Sequence, residues 1–147
     1  MPETATIQRA RRDAREGKSA STQAGEFVRE EFHHIREGKH GARSSKQAIA
    51  IGLSKARRAG VKLAPPAPGK TSEKVRRQAV RDSARATSHT KPSPRRSRAV
   101  LGALKREGHA AGTTRAISRQ THQAARRRSA ASRSASARHA ARTRQHI

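Results

Sequence analysis

The chain has 147 residues, of which 35 are Lys or Arg and 10 are Asp or Glu, giving a formal net charge of +25. Ile, Leu, Val and Phe together number 17, about 12% of the chain, below the ~20% at which a high net charge points to disorder. At ~25 cal/mol per Å² of apolar surface buried, set against ~1–2 kcal/mol of backbone entropy per residue, this composition excludes one large core and leaves room for a small helical unit.

The first 24 residues are polar and Ala-rich and read as an N-terminal arm, within which ATIQRARRDARE predicts a short helix ending at Gly17. The pattern sharpens at Gly25. Val28, Phe32 and Ile35 fall at i, i+4 and i+7, one helical face that Phe27 widens, with Gly38 as its stop. Ser44 and Gln47 then fit a capping box, so a second helix is predicted from there to Gly60, with Ala48, Ile49, Gly52, Leu53 and Ala56 as its apolar stripe. Gly52 in mid-helix costs up to ~1 kcal/mol relative to alanine, and its expected use is close approach of the partner helix. The two stripes predict a helical hairpin over residues 25–60.

Residues 61–70, VKLAPPAPGK, carry three prolines in four positions and read as a stiff linker and domain boundary. Residues 71–128 read as basic helical segments broken at 89–95. The first has Ser72 as its cap and Val75, Ala79 and Val80 as a thin stripe. The second, RAVLGALKRE, stops at Gly108, and TTRAISRQTHQAARRR follows. From residue 129 the Arg/Ser/Ala low-complexity sequence predicts a disordered tail. The expected fold class is therefore mostly α.

One punctuation pattern recurs. Arg15-Glu16-Gly17, Arg36-Glu37-Gly38 and Arg106-Glu107-Gly108 are each followed by a short loop and a Ser/Thr-rich cap sequence. The last two share His-x-Ala, at His40–Ala42 and His109–Ala111. Gap lengths differ, and composition alone accounts for part of the recurrence.

Several functions are disfavoured. The chain has no cysteine, hence no disulfide and no thiolate metal site. It has no run of ~18 apolar residues to span a bilayer, and its opening lacks the apolar centre of a signal peptide. A soluble cytoplasmic protein is expected. An amphipathic membrane-surface helix would need bulky apolar residues opposite its basic face, where the tail has Ala and Ser. No enzyme is expected either. Three acids after residue 60 offer few general acids or bases, and Glu26, Glu30, Glu31 and Glu37 read as solvated partners of Arg29 and Arg36. His33, His34 and His40, aided by Glu30 or Glu37, lie near enough in sequence to reach one ion. Consecutive histidines point to different helix faces, however, so no metal and no cofactor is expected.

The charge points instead to a polyanion. Residues 61–147 hold 22 basic and 3 acidic side chains, and no acid follows Glu107. Lys39, Arg43, Lys46, Lys55, Arg57 and Arg58 crowd the second predicted helix, whose capped start also offers N–H groups to phosphate. Arg95 and Arg96 lie in KPSPRR, a sequence like the S-P-[KR]-[KR] elements of linker-histone tails, which suit a narrow minor groove. Arg126, Arg127 and Arg128 form a further basic run. With no Tyr or Trp, and with Phe27 and Phe32 needed for packing, a base-stacking platform is disfavoured and duplex DNA is the expected partner. RNA in a ribosomal or ribonucleoprotein assembly is the alternative, and a plasmid-maintenance partner the second alternative.

Residues 25–63, GEFVREEFHHIREGKHGARSSKQAIAIGLSKARRAGVKL, resemble the shared core of a family of short basic bacterial proteins usually labelled DNA-binding or plasmid stabilisation proteins. His33, His34, Gly38, Lys39, His40, Lys46, Gln47, Ala48, Ile49, Leu53, Arg57 and Arg58 carry the resemblance. It implies a bacterial, nucleoid-associated role. The Arg-rich tail resembles, in composition, the tails of linker histones and of bacterial histone-like proteins.

Overall fold

A computed structural model describes residues 1–88 and 91–146. Among these residues seven α-helices follow one another: α1 (Thr4–Arg15), α2 (Ala20–Arg36), α3 (Ser45–Arg58), α4 (Glu73–Ser88), α5 (Pro94–Lys105), α6 (Thr114–Arg126) and α7 (Ala130–Gln145). A 3₁₀ turn (Ala110–Gly112) precedes α6, and no strand occurs among the described residues. The mostly α expectation holds.

Each of the three signals lies between two helices, and two of their glycines act as stops. Gly17 and Gly38 adopt positive φ after α1 and α2, a conformation that costs glycine little. The side chains of Ser19, Ser44 and Thr113 then accept the N–H of Thr22, Gln47 and Ala116, which satisfies one orphan donor at each helix start. The capping box at α3 is shifted by one residue. Gln47 Oε1 accepts from the N–H of Arg43 at 2.7 Å rather than from that of Ser44.

Helix α2 is the centre of the fold. One side packs on α1 and α3 through Phe27, Ala24, Ala10 and Ala56, with Ile7, Leu53, Val61 and Leu63 around them. The other side gathers Phe32, Ile35, Ala42, Ala48 and Ala111, flanked by Val28, Ile49 and Ile117. Gly52 of α3 lies directly on the α2 backbone at Val28, the close approach expected of it. The hairpin is thus part of a larger unit. α2 begins at Ala20, ahead of Gly25, because Ser19 caps it and Gly25 faces open space. The polar arm contributes α1 to the core.

Beyond the proline-rich linker, α4 returns to α3. Its inward face is Ala79 and Asp82, while Val75 and Val80 are half exposed, so of the predicted stripe Ala79 alone faces inward. Ser54 Oγ donates to Asp82 Oδ2 at 2.7 Å and Gln78 Nε2 to Asp82 Oδ1 at 3.0 Å. Residues 91–93 are non-helical, as the predicted break at 89–95 requires, but Pro94 already opens α5 and residues 89–90 lie outside the described residues.

The tail differs from expectation. Residues 130–145 form a helix, α7, with no buried residue. Ser129 caps it by accepting the N–H of Ser132, Ala and Arg are strong helix formers, and neither glycine nor proline follows Gly112. Low complexity here gives a solvated helix in place of a disordered coil.

The loop between α2 and α3 meets the segment between α5 and α6. Gly41 N–H donates to Leu104 O at 2.9 Å and Ala42 N–H to Gly108 O at 3.1 Å. Ser45 Oγ donates to Ala111 O at 2.7 Å and Arg36 Nε to Gly112 O at 2.8 Å. The two stretches sharing the Arg-Glu-Gly and His-x-Ala pattern are therefore each other's neighbours.

Candidate nucleic-acid interface

Part of the cationic side chains in the first four helices and their loops pair with acids. Arg9 pairs with Glu26 at 2.6 Å, and Lys18 with Asp13 at 2.8 Å and Glu16 at 2.7 Å. Lys39 pairs with Glu37 at 3.0 Å and lies 3.5 Å from Glu3. Hydrogen bonding to Glu37 and the charge of both acids raise the Lys39 pKa above its ordinary value, against a smaller opposing effect of burial.

Two residues expected at the phosphate surface are turned inward. Lys55 contacts the carboxylates of Glu31 and Glu30, which are 1% and 4% exposed. The reading of Glu30 and Glu31 as solvated partners of Arg29 and Arg36 is corrected at the same time: their neighbours are Lys55, His34 and His40. Two adjacent carboxylates on the packed side of α2 need a cation, and α3 supplies it. Arg57 is 7% exposed and donates to Leu63 O at 3.4 Å and Ala64 O at 3.3 Å, which ties the linker down on α3. Burial lowers its pKa from the ordinary value, and Asp82 partly offsets that.

The remaining residues are exposed. Arg43 and Lys46 flank the start of α3, and Arg58 at its end lies 3.8 Å from Asp82. Arg95 and Arg96 occupy the first turn of α5, behind a proline at its start, with Arg98 close by. Pro94 has no N–H, so the N–H groups of Ser93, Arg95 and Arg96 and a positive dipole end sit there beside cations, an arrangement that repels itself and favours an anion. Arg126 ends α6 and Arg127 caps it. Arg128 reaches across to α7, donating to Ser132 Oγ and, at 2.6 Å, to Ser136 Oγ.

Sequence reading missed a stripe on α6. Arg115, Arg119, His122 and Arg126 follow at i, i+4, i+7 and i+11 and are all exposed. The opposite face carries Ile117, which packs on the core cluster of α2. The spacing was available in the sequence. What was not available was that Ile117 is fixed on the core, which turns the arginines outward.

Among the described residues every ion pair lies within residues 3–82. From residue 91 onward there are fifteen Lys and Arg and one acid, Glu107. The chain therefore divides into a helical unit that holds nine of the ten acids and all of these ion pairs, and a cationic one with a single acid. The histidines divide as well. His33 is exposed, while His34 and His40 turn toward each other, ring centroids 5.8 Å apart, beside Glu31.

Residues 5–67, running through α1, α2 and α3 into the linker, match a family of unknown function (DUF6496). No curated protein and no solved structure matches the chain. No helix among the described residues is long and apolar enough to cross a membrane.

Proposed function

We propose that the chain is a non-catalytic protein that binds duplex DNA through its phosphates, with α1–α4 as scaffold and α5–α7 as the contact surface. The observation that carries this reading is the segregation of charge. Up to residue 82 nine acids stand against nineteen Lys and Arg, and beyond it one acid stands against sixteen. Uncompensated cations on solvated helices repel one another, and a polyanion relieves that repulsion.

The stripe on α6 supports the same reading. The twelve residues from Arg115 to Arg126 extend about 16 Å along the helix, and the major groove of B-DNA admits a helix with cations facing phosphate on its rim. Phe27 and Phe32 are 1% and 7% exposed, so neither offers a stacking face to an unpaired base. That favours a duplex over a single strand. Backbone contacts of this kind position a protein without reading sequence, which suits a nucleoid-associated role.

The test is a competition of equal-length duplex DNA, single-stranded DNA and structured RNA for the full chain, followed by a salt titration on the duplex. Duplex DNA is expected to compete best. Neutralising about eight phosphates gives a slope of about −7 in log K against log salt. A slope near zero sinks the proposal, and structured RNA displacing duplex DNA transfers it to an RNA partner.

A further inference from the structure

We propose that Glu31, His34 and His40 form a site for a zinc ion. One ring nitrogen from each histidine and a carboxylate oxygen of Glu31 all lie within 4.8 Å of one another. Glu31 and His34 are at i and i+3 on α2, a Glu-x-x-His spacing that sets a carboxylate and an imidazole on one helix face and serves metal sites in helical bundles. His40 comes from the loop before α3.

The state of the donor atoms is what points to a cation. Glu31 is 1% exposed. Its Oε1 is held by the Lys55 ammonium, and its Oε2 accepts no hydrogen bond. His40 Nε2 lies 3.2 Å from that oxygen without hydrogen-bond geometry. Its other nitrogen, Nδ1, donates to Gly41 O at 2.9 Å and so carries the proton. In the neutral ring the Nε2 lone pair then faces the Oε2 lone pairs, and two electron-pair donors converge on one buried point. A histidine anchored through one nitrogen to a backbone carbonyl, with the other nitrogen free, is how metal-bound imidazoles are oriented.

Charge and size agree. Glu30 and Glu31 are both buried, and among the described residues Lys55 is the one lysine within ion-pair distance of either. A divalent ion offsets the remaining negative charge. Zinc takes nitrogen and oxygen ligands at about 2.0–2.2 Å in a tetrahedron, which sets donor atoms about 3.3 Å apart. The His40–Glu31 pair is already at that separation, and a turn of the His34 ring completes the set. His34 Nε2 is bonded to Glu3 Oε1 at 3.0 Å, a carboxylate that is half exposed and easily displaced. Glu30 Oε1, which also accepts no hydrogen bond, or a water can fill the fourth position. His34, Glu30 and Glu3 line an open cleft of about 250 Å³, through which an ion can enter.

The test uses the full chain, stripped with a chelator and titrated with zinc by calorimetry, with thermal melts by circular dichroism alongside. One zinc per chain and a raised melting temperature are expected. Cobalt(II) at the same stoichiometry is expected to give the strong visible absorption of a tetrahedral site. His40→Gln and His34→Gln should each weaken zinc binding by more than about tenfold, since losing even an outer partner of a ligand costs 10–100-fold. His33→Gln should leave it unchanged. His34 is only partly buried, so its variant keeps the fold, and unaltered circular dichroism verifies that. Absence of saturable one-to-one binding overturns the proposal. So does equal affinity in all three variants, which would assign the binding to the scattered exposed histidines.

Discussion

Gly52 on α3 rests against the backbone of Val28 on α2: a methyl group on Gly52 would lie 2.7 Å from Val28 Cα and 2.8 Å from its nitrogen. A flexible side chain could give way, but a helix backbone cannot. Gly52→Ala gains up to ~1 kcal/mol of helix propensity and loses more than that to the forced separation of α2 and α3. A net loss of about 1–2 kcal/mol is expected, read from urea denaturation. An alanine variant as stable as the parent would mean that the two helices are free to move apart.

The cationic stripe and the inward arginine should respond differently. Replacing Arg115, Arg119 and Arg126 together by alanine is expected to leave helicity nearly unchanged and to reduce the salt slope of duplex binding by about three units, one per phosphate contact. Arg57→Ala should do the reverse. It removes donors from Leu63 O and Ala64 O and costs about 1–3 kcal/mol of stability, with the slope unaltered. Fluorescence anisotropy at several salt concentrations, with denaturation curves alongside, separates the two. A slope that drops for Arg57→Ala would return that residue to the interface.

Asp82 is the polar anchor of α4, 1% exposed and bonded to Ser54 and Gln78. Asp82→Ala leaves the Ser54 hydroxyl without its acceptor and frees one end of the contact. A loss of about 1–3 kcal/mol in the docking of α4 is expected. Hydrogen exchange should show it as faster exchange across residues 73–88, with α2 amides largely protected. Uniform acceleration in α2 and α4 alike would show that the two helices open as one unit.

Lys18 gives the fold a dependence on alkaline pH. Hydrogen bonds from its ammonium to Asp13 and Glu16 raise its pKa above the ordinary 10.5. The charged form is thus favoured in the folded chain. Its contribution is complete below the unfolded value and disappears as pH rises through the folded one. Melting temperature should fall over that alkaline range, and Lys18→Met should remove this step while lowering the plateau beneath it. An identical alkaline profile in parent and variant would exclude the assignment.

Much of the helical punctuation was legible because it is local. Ser44 with Gln47, Gly38 and Gly60 act through atoms within a few residues of themselves. Gly52 was legible for a different reason, since glycine inside an apolar stripe leaves few alternatives to a close helix contact. Glu30, Glu31 and Lys55 were not, because a charged side chain in a basic chain looks the same in sequence whether it meets water or a partner 24 residues away. Asp82 was missed likewise. Val75, Ala79 and Val80 looked like the buried face of α4, yet of these Ala79 alone is buried, and Asp82 stands beside it. The tail was misread because composition reports whether a segment can bury surface, and α7 is helical without burying any.

The meeting of the two similar loops also bears on the order in which the chain folds. Ser45 and Ala111 are 66 residues apart in sequence, whereas α2 and α3 are joined by a loop of about eight. Closing the longer loop costs about 2 kcal/mol more in chain entropy than closing the shorter one. The three N-terminal helices can therefore assemble while the later ones are still a flexible, highly charged strand. Docking of residues 104–112 then becomes a late step against a preformed surface. Mutual repulsion among the arginines resists that step in water, and a polyanion that screens them would speed it.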